Sequence, residues 1–294
     1  MRRLIFILLL LGFTAAPFAQ PQARLPMRDG STRFAIIGDS GTGGSKQVEV
    51  AKQLAVARQR FPFEFAIMLG DNLYGSEKSS DYERKFERPY KPLLDAGVKF
   101  YAALGNHDDP NQRFYKPFNM NGERYYSFKP SLKSSVRFFA IDSNYMDQRQ
   151  LDWLEKELAA SGSDWKICYF HHPIYSSGER HGSNLVLREQ LEPVFLKHGV
   201  DVVFTGHEHF YERLKPQKGI SYFIAGSSAK LRRGNLGNSS MTAFGYDDGY
   251  TFMLAEIVDD ELYFETITEN GKTIDSGRLR RAEKVVPTTG RPKS

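Results

Sequence analysis

Polar side chains follow five apolar runs of this sequence, at the point where each run ends. The residues are Asp39, Asp71, Asn106, His171 and the pair His207 and His209. Carboxylates, an amide oxygen and imidazoles together form a set of oxygen and nitrogen ligands that suits hard or borderline metal ions. A turn or a helix cap would explain GDSG (38–41) or GDNLY (70–74) taken singly, but five such endings together indicate one metal-binding site.

The spacing inside two motifs supports this prediction. His207 and His209 are two residues apart, which in extended backbone puts both rings on the same side. Asp71 and Tyr74 are three residues apart, so the first turn after a strand would bring them together. Six of the seven histidines lie in or just after the motifs. The remaining one, His198, stands beside a glycine at a predicted helix end, where a cation favours the helix dipole, and we interpret it as structural.

The apolar runs that precede these motifs predict the strands that position them. They cover residues 33–39, 63–71, 98–108, 136–142, 165–173 and 200–209, and their near-continuous apolar character indicates burial on both faces of a sheet. Helical patterns lie between them, so the sequence predicts an α/β (α+β) fold. Ligands bind beyond the carboxyl ends of strands in such sheets, which is where the motifs fall.

Four local expectations follow from the same patterns. Ser45 is expected to cap a first helix, and a later helix around Leu191 is expected to bend or restart at Pro193. The two apolar runs joined at residues 259–261 predict an antiparallel hairpin, and the Gly-, Ser- and Asn-rich stretch 227–245 predicts a long loop.

The two ends of the sequence differ in composition from its body. Residues 1–19 have two arginines, an apolar run and small residues, which predicts a signal peptide cleaved after Ala19 and hence a periplasmic or secreted protein. The apolar run is too short for a membrane span, so no stable membrane anchor is expected, although an uncleaved anchor is the alternative. The domain is predicted over 31–281, followed by a mobile basic tail at 282–294.

The distribution of charge argues against a nucleic-acid partner, and the cysteine content excludes an internal disulfide. The formal net charge is +5, but the basic residues concentrate at the two ends and leave a weakly acidic body, so a nucleic-acid partner is not expected. The only cysteine is Cys168, inside an apolar run, so the chain cannot form an internal disulfide. We interpret Cys168 as a packing residue.

Taken in order, the motifs GDSG, GDNLY, GNHD, His-x-Pro and GHEH resemble those of calcineurin-like metallophosphoesterases. Within that superfamily the sequence resembles the purple acid phosphatases, and the small mammalian-type enzymes in particular. Many metallophosphoesterases have Asp-x-His in the first motif, whereas this chain has Gly41 in place of the histidine and a tyrosine at Tyr74. The resemblance extends from about residue 33 to about residue 281. It implies a four-layer αββα sandwich of two mixed β-sheets, with metals at the strand carboxyl ends.

The resemblance also implies a ligand set for two metal ions and a bridging hydroxide. Fe(3+) would be bound by Asp39, Tyr74 and His209, and a divalent ion (iron, zinc or manganese) by Asn106, His171 and His207, with Asp71 bridging both. His171 is preferred to His172 because the family places its ligand two residues before the proline. Cys168 stands where the family usually has valine, which should change packing only.

Further residues receive roles by the same resemblance. His107 and His181 are expected to protonate the leaving group, with Asp108 orienting His107 by accepting its second ring proton. His181 could equally be a solvent-exposed loop residue, and His172 could lie beside the ligands without binding metal. Lys230, Arg232 and Arg233 could steer anions, but a solvated loop is the favoured interpretation.

The resulting hypothesis is a secreted acid phosphatase that hydrolyses phosphate monoesters by attack of a metal-bound hydroxide. Its substrate would be a small phosphate ester or another phosphorylated molecule. Two alternatives stay open at this point: a phosphodiesterase or nucleotidase with the same metals, and an inactive metal-binding secreted protein. The second alternative predicts a lost ligand, and all seven positions are filled.

Overall fold

The computed structural model describes residues 25–281. The predicted signal peptide (1–19) and basic tail (282–294) lie outside the described residues. Within the described part of the chain, no helix combines the length and the apolar character needed to cross a membrane.

The described residues form thirteen strands and five α-helices. The strands are β1 (Thr32–Ile37), β2 (Phe65–Met68), β3 (Lys99–Ala102), β4 (Tyr126–Phe128), β5 (Val136–Ala140), β6 (Trp165–Phe170), β7 (Val202–Thr205), β8 (Tyr211–Leu214), β9 (Ser221–Ala225), β10 (Thr242–Tyr246), β11 (Thr251–Val258), β12 (Glu261–Thr268) and β13 (Thr273–Arg280). The helices are α1 (Ser45–Arg60), α2 (Ser79–Tyr82), α3 (Arg88–Asp95), α4 (Gln148–Ala160) and α5 (Leu185–His198). A π-helical turn (Glu83–Glu87) joins α2 to α3, and two 3₁₀ turns (Pro110–Phe114 and Lys116–Phe118) follow β3.

The strands form two mixed sheets. The first has the order β13-β12-β11-β1-β2-β3, in which β1, β2 and β3 are parallel and the others antiparallel. The second has the order β10-β8-β9-β7-β6-β5-β4, with β5, β6, β7 and β9 parallel. Each sheet therefore contains a set of adjacent parallel strands, and the predicted functional residues follow the carboxyl ends of strands in these sets.

The two sheets pack face to face through aromatic side chains. Phe34 of β1 and Phe65 of β2 are buried and lie against Phe138 of β5, with ring centroids 5.0 and 5.2 Å from Phe138 in edge-to-face geometry. Phe204 of β7 contacts Phe34 in the same way. Edge-to-face contacts between buried rings are favourable beyond the area they bury, so this layer holds the two sheets together.

Helices cover the outer face of each sheet. The apolar faces of α1 and α3, which include Val50, Leu54 and Leu93, pack on the first sheet. Leu154 of α4 and Leu191 of α5 belong to the core on the outer face of the second sheet. The result is a four-layer αββα arrangement of two mixed sheets, so the predicted fold class is confirmed.

Four local expectations can be compared with the structure. The hairpin is present as β11 and β12, and β13 extends it by a third antiparallel strand. Helix α1 begins at Ser45, but its N-cap residue is Gly44 and no side chain caps it, so the predicted Ser45 cap is wrong. Helix α5 runs through Pro193 without restarting. The predicted loop over 227–245 is shorter than expected, because residues from Thr242 pair with β8.

Candidate metal centre

The loops that carry the predicted metal ligands turn sharply just after the strands. Asp39 follows β1, Asp71 follows β2 and His207 follows β7, and their φ angles are 54°, 51° and 68°. This left-handed region is rarely adopted by residues with a side chain, and it persists only where the surroundings hold it. Strain of this kind at three strand ends that meet is typical of a functional site.

Asp39, Tyr74 and His209 form one group of donors, which we call the Tyr74 half. The Tyr74 hydroxyl donates to Oδ1 of Asp39 at 3.0 Å and lies 3.4 Å from Nε2 of His209. Nε2 of His209 is also 3.4 Å from Oδ1 of Asp39. Burial, followed by the Asp39 and Asp71 carboxylates, raises the pKa of the Tyr74 phenol. A cation held among these oxygens would oppose all these effects and favour the phenolate.

Gly41 lets the two loops of the Tyr74 half interlock. The Gly41 N–H donates to the Asp71 carbonyl at 3.3 Å, and the Tyr74 N–H donates to the Gly41 carbonyl at 2.9 Å. A Cβ added at Gly41 would lie 1.8 Å from the Asn72 carbonyl oxygen. No residue with a side chain fits there without moving this backbone, so the missing histidine at position 41 and the tyrosine at 74 belong to one local arrangement.

Buried Lys85 supports the same loop from below. Its ammonium donates to the Tyr74 carbonyl at 2.7 Å and to the Ser76 carbonyl, and it lies 3.3 Å from Oδ1 of Asp81. The lysine is on the π-helical turn, where the extra residue per turn alters which side chains face the loop. Sequence reasoning missed Lys85, because one lysine in the charged stretch 83–88 carries no signal of burial.

Asn106, His171 and His207 form a second group, which we call the Asn106 half. Oδ1 of Asn106 lies 2.9 Å from Nε2 of His171 and 3.0 Å from Nδ1 of His207. The two imidazole nitrogens are 3.1 Å apart. Nδ1 of His171 faces the Leu69 carbonyl at 3.0 Å, which places the ring proton there and leaves a lone pair on Nε2.

Asp71 lies between the two halves. Its carboxylate belongs to one cluster with Asp39 and His209, in which the ligand atoms all lie within 4.8 Å of one another. Its Oδ1 is also 3.4 Å from Nε2 of His171 in the Asn106 half. The structure therefore brings the seven predicted metal ligands together, with Asp71 in the position that a bridging ligand requires.

The chemistry of the donors fits bound cations. Asp39 and Asp71 are buried side by side, and burial followed by the Asp71 charge raises the pKa of Asp39 well above its usual range. In the Asn106 half, the lone pair on Nε2 of His171 faces the amide oxygen of Asn106, which is also an acceptor. Burial lowers the pKa of His207 to about 2 and that of His209 to about 4, so both rings present lone pairs as neutral imidazoles. Clustered acceptors with few protons among them are stabilised by metal ions.

His172 lies next to the Asn106 half and is held by Ser143. Its Nδ1 is 2.9 Å from the Ser143 hydroxyl, which also accepts the His172 N–H at 3.1 Å. Its ligand atom lies within 4.8 Å of those of His171 and His207, and burial lowers its pKa to about 4. His171 is the residue that contacts both Asn106 and Asp71, so the geometry favours the predicted choice of His171 over His172 as the ligand.

The backbone of the GHEH motif differs from the extended form expected. His207 has a positive φ, and the residues from His207 to Phe210 bend between β7 and β8. As a result His207 reaches the Asn106 half and His209 the Tyr74 half. The extended backbone on which that expectation rested is not formed, although both rings still reach the same metal centre.

Asp108 has a different role from the one expected. Its Oδ2 accepts the N–H groups of Asn72 and Gly105 at 3.0 and 2.8 Å, and its Oδ1 accepts the Leu73 N–H at 3.0 Å. Gln112 donates to it as well, at 2.8 Å. These donors use the lone pairs of the carboxylate, so the expected hydrogen bond to the His107 ring is not formed. Burial, followed by Asp71, raises the pKa of Asp108 to about 8.

His107 and His181 lie beside different halves of the centre. The exposed His107 ring is 5.0 Å from the Tyr74 ring, and the backbone N–H of His107 donates to Asp71 at 3.0 Å. The His181 ring stacks on His207 at 4.3 Å, and Nε2 of His181 accepts a hydrogen bond from Arg180 at 3.3 Å. His181 is therefore stacked on a predicted ligand and is at the same time an exposed loop residue.

Glu208 is a second residue that sequence reasoning missed. It is fully buried, and its Oε1 accepts the N–H groups of His181 and Gly182 at 3.2 and 2.8 Å. Its Oε2 accepts from the Asn235 side chain at 2.9 Å. It therefore ties the loop that carries His181 to the loop that carries Asn235. The only signal was an acidic residue between two histidines, and its partners are distant in sequence.

The basic loop is not the solvated segment that was favoured. The Lys230 ammonium lies 4.4 Å from the centre of the Tyr74 ring, and the Arg232 N–H donates to the His209 carbonyl at 3.0 Å. Both side chains are partly buried beside the metal centre. Only Arg233 points elsewhere, donating to the Asp248 carbonyl at 2.7 Å. Packing of the loop on the GHEH motif explains the difference.

The fold and the donor set define a metal-dependent phosphoester hydrolase. Residues 32–211 match the profile of the family described as calcineurin-like phosphoesterase, and the chain belongs to that family. The resemblance inferred from the motifs is thereby confirmed.

Two curated relatives sharpen the comparison. The chain is 28% identical over 276 residues to purple acid phosphatase 17 of Arabidopsis thaliana. The alignment covers 80% of this chain and 81% of that protein. It is 26% identical over 305 residues to human tartrate-resistant acid phosphatase type 5, covering 87% of this chain and 94% of that protein. The similarity thus extends well beyond the family profile into the last strands.

A solved structure shows the same fold. GAP50, described as the anchor in the inner membrane complex of Plasmodium, superposes with a TM-score of 0.74 at 21% identity. The match covers 87% of this chain and 90% of that one. At this identity the similarity concerns the fold alone.

Proposed function

We propose that this protein is an acid phosphatase that uses two metal ions to hydrolyse phosphate monoesters. Fe(3+) would be held in the Tyr74 half and a divalent iron, zinc or manganese ion in the Asn106 half. The observation that carries the proposal is the position of Asp71, whose carboxylate lies within ligand distance of donors in both halves. The phenol of Tyr74 favours trivalent iron in the Tyr74 half.

The residues of the chain prepare this site for an anionic ester. Cations held by these donors would draw in the phosphate dianion and supply the Lewis acidity that activates water for attack on phosphorus. The protein fixes the donors before any ion arrives: the Asp39 carboxylate accepts the His207 N–H at 2.9 Å, and Asp71 accepts the His107 N–H at 3.0 Å. Preorganised donors lose little freedom on binding.

We assign protonation of the leaving oxygen to His107. A general acid needs a ring nitrogen that carries a proton toward the substrate. Nε2 of His181 already accepts a hydrogen bond from Arg180, which makes it an acceptor, whereas the exposed His107 ring lies beside Tyr74 at the open side of the centre. In this assignment His181 orients the phosphate and packs His207, and Asp108 shapes the loop.

We further propose that the protein acts in the periplasm or outside the cell. The motivation is the composition of residues 1–19, with two arginines, an apolar run and small residues. Fractionation of cells that express the full chain, with N-terminal sequencing of the product, tests this. Intact protein that begins at Met1 in the cytoplasm would contradict it.

Metal analysis with a visible spectrum is the most direct test of the metal assignment. The purified protein is expected to contain two metal ions per chain, one of them iron, and to show a broad tyrosinate-to-iron absorption band. Tyr74→Phe should remove that band. Colourless, iron-free protein with full activity would overturn the iron assignment and leave a general metallophosphoesterase.

Substrate choice requires a separate measurement. Hydrolysis of an aryl phosphate monoester should exceed that of the corresponding bis-aryl diester, because bound metal cations attract a dianion more strongly than a monoanion. A larger diester rate would instead favour a phosphodiesterase or nucleotidase with the same metal site.

A binding protein of the same fold is the second candidate. This chain shares its fold with GAP50, which is described as an anchor, and at 21% identity the likeness extends to the fold alone. Because all seven donors are present in this chain and lie close together, the phosphatase is the better supported proposal. If the metal-replete protein hydrolyses no phosphate ester, the binding protein becomes the better supported proposal.

A further inference from the structure

Three cationic side chains, Arg180, Lys230 and Arg232, line one side of the metal centre. We call them the cationic rim. Arg180 contacts His181, Lys230 lies over Tyr74, and the backbone of Arg232 is bonded to His209. Each cation therefore adjoins a residue that packs against or belongs to the predicted ligand set.

The two loops that carry the rim are joined into one platform. The Glu179 N–H donates to the Asn235 carbonyl at 2.8 Å, and the Arg180 N–H donates to the Asn235 side chain at 3.1 Å. The Gly237 N–H donates to the Ser177 carbonyl at 2.8 Å. Buried Glu208 ties both loops from below. These contacts fix the backbone of the two loops that carry the rim.

Arg232, in the rim, has no close partner for part of its guanidinium group. The described residues offer no hydrogen-bond partner to the buried Nη1 atom of Arg232. The nearest carboxylate, Glu208, lies 4.0 Å from Arg232 and already accepts three other donors. An arrangement of this kind is stabilised when an anion binds.

The other side of the centre differs in charge. In the described part of the chain, the cavity that opens beside Asn106 has Ser143, Asn144, Tyr145 and Asn184 among its lining residues and contains no lysine or arginine. An anionic group on the substrate would therefore be attracted to the rim side, while an uncharged group gains nothing there.

From this asymmetry we propose that the cationic rim binds a second anionic group, carried by the leaving group of the phosphate ester. The proposal rests on the proposed function and narrows it to esters with two anionic groups. The transferred phosphate lies at the metal centre, and the second anion, a carboxylate, sulfonate or further phosphate, lies against Arg180, Lys230 and Arg232.

The test compares two esters of the same shape on each protein. They are 4-sulfophenyl phosphate, with an anionic leaving group, and 4-sulfamoylphenyl phosphate, with a neutral one. We expect the ratio of their kcat/KM values to fall about tenfold when Lys230→Met and Arg232→Gln are combined, and severalfold in Arg180→Gln. The intrinsic reactivity of the two esters cancels, since the same pair is compared on every protein.

Arg233→Gln is the matched control, because Arg233 is on the same loop but contacts Asp248. Its ratio should change by less than about twofold. A second readout is equilibrium binding, measured by calorimetry, of the non-hydrolysable 4-sulfobenzylphosphonate and 4-sulfamoylbenzylphosphonate. The rim variants should lose affinity for the first compound in particular.

Two results would overturn the proposal. An equal loss for both esters would mean that the rim attracts any phosphate or supports Tyr74 without contacting the leaving group. An unchanged ratio in all rim variants would mean that the cations lie out of reach. If neither ester is hydrolysed by metal-replete wild-type protein, the proposed function fails first, while the binding measurement still tests the rim.

Discussion

The two halves of the metal centre are held together in different ways. In the Tyr74 half, backbone hydrogen bonds between the loops at Asp39 and Asp71 set the positions of the donors, and Lys85 fixes the Tyr74 carbonyl. In the Asn106 half, the donor atoms contact one another directly, at 2.9 to 3.1 Å. Backbone bonds between neighbouring loops thus dominate in the Tyr74 half, whereas mutual contacts among all three donors dominate in the Asn106 half.

This difference predicts how each half responds to damage. A backbone clash should prevent metal binding in the Tyr74 half and leave the Asn106 half intact, because the two loops are packed too closely to accept an added atom. The Asn106 half should depend instead on what packs against its imidazoles, namely the platform that carries His181. Only Asp71 belongs to both.

The largest effect is expected for Asp71→Asn. The amide keeps the shape but removes the charge that both halves share, so the metal content should fall and kcat/KM should drop by about 10³-fold. Metal analysis and kinetics with an aryl phosphate measure both. Circular dichroism should show an unchanged fold. A variant that keeps two metal ions and wild-type activity would refute the shared role of Asp71.

Gly41→Ala should break the Tyr74 half alone. The added Cβ would lie 1.8 Å from the Asn72 carbonyl oxygen, so the loops must separate at a cost of about 1–3 kcal/mol in unfolding free energy. The expected result is loss of iron and of the visible band, with the divalent ion still bound.

Gly44→Ala is the matched control for this prediction. It lies in the same loop, and its added Cβ meets only the Thr42 hydroxyl, at 3.5 Å. Because Gly44 is the N-cap of α1, a loss of less than about 1 kcal/mol is expected there, with the band retained. Equal loss of the band in both variants would show that the interlock at Gly41 is not what holds Tyr74.

A smaller effect on the opposite half is expected for Glu208→Gln. The glutamine side chain keeps one acceptor oxygen, so it cannot serve both the His181 loop and Asn235. The His181 ring should lose its fixed position on His207, and kcat/KM should fall about 10–100-fold while the visible band persists.

The readout for Glu208 must separate positioning from folding. Glu208→Gln should raise KM or lower kcat with unchanged metal content, and Glu189→Gln, at an exposed position on α5, serves as the charge control. Loss of the band together with the activity would contradict the assignment of Glu208 to the Asn106 half.

The strand ends and the donor types could be read from the sequence because both depend on local patterns. Apolar runs predict buried strands, and parallel strands bring their carboxyl ends to one edge, so Asp39 and His171 could be placed together although they are distant in the chain. The same logic predicted the antiparallel pairing of β11 and β12.

The features that the sequence did not predict depend on contacts between distant loops. Local patterns gave no indication that Asp108 would bind the backbone at Asn72 and Leu73, or that Glu208 would join two loops. The basic loop was interpreted as solvated because its packing partner, the GHEH turn, is about twenty residues away. The left-handed φ at His207 could not be predicted from the sequence either, because the surrounding structure and not the residue type imposes such strain.

The smallest effect is expected at Cys168. A substitution there tests whether the packing of β6 affects the metal centre. It is fully buried in β6, between Phe139 and Val203 in the sheet register, and burial raises the pKa of its thiol. A buried, protonated thiol is unreactive, so alkylation should occur only after unfolding. Cys168→Val should change the unfolding free energy by less than about 1.5 kcal/mol and leave kcat/KM within about twofold. Chemical denaturation and kinetics measure these quantities. A large loss of activity at full stability would mean that the strand below His171 transmits its packing to the Asn106 half, and that this half is less independent of the sheet than its side-chain contacts indicate.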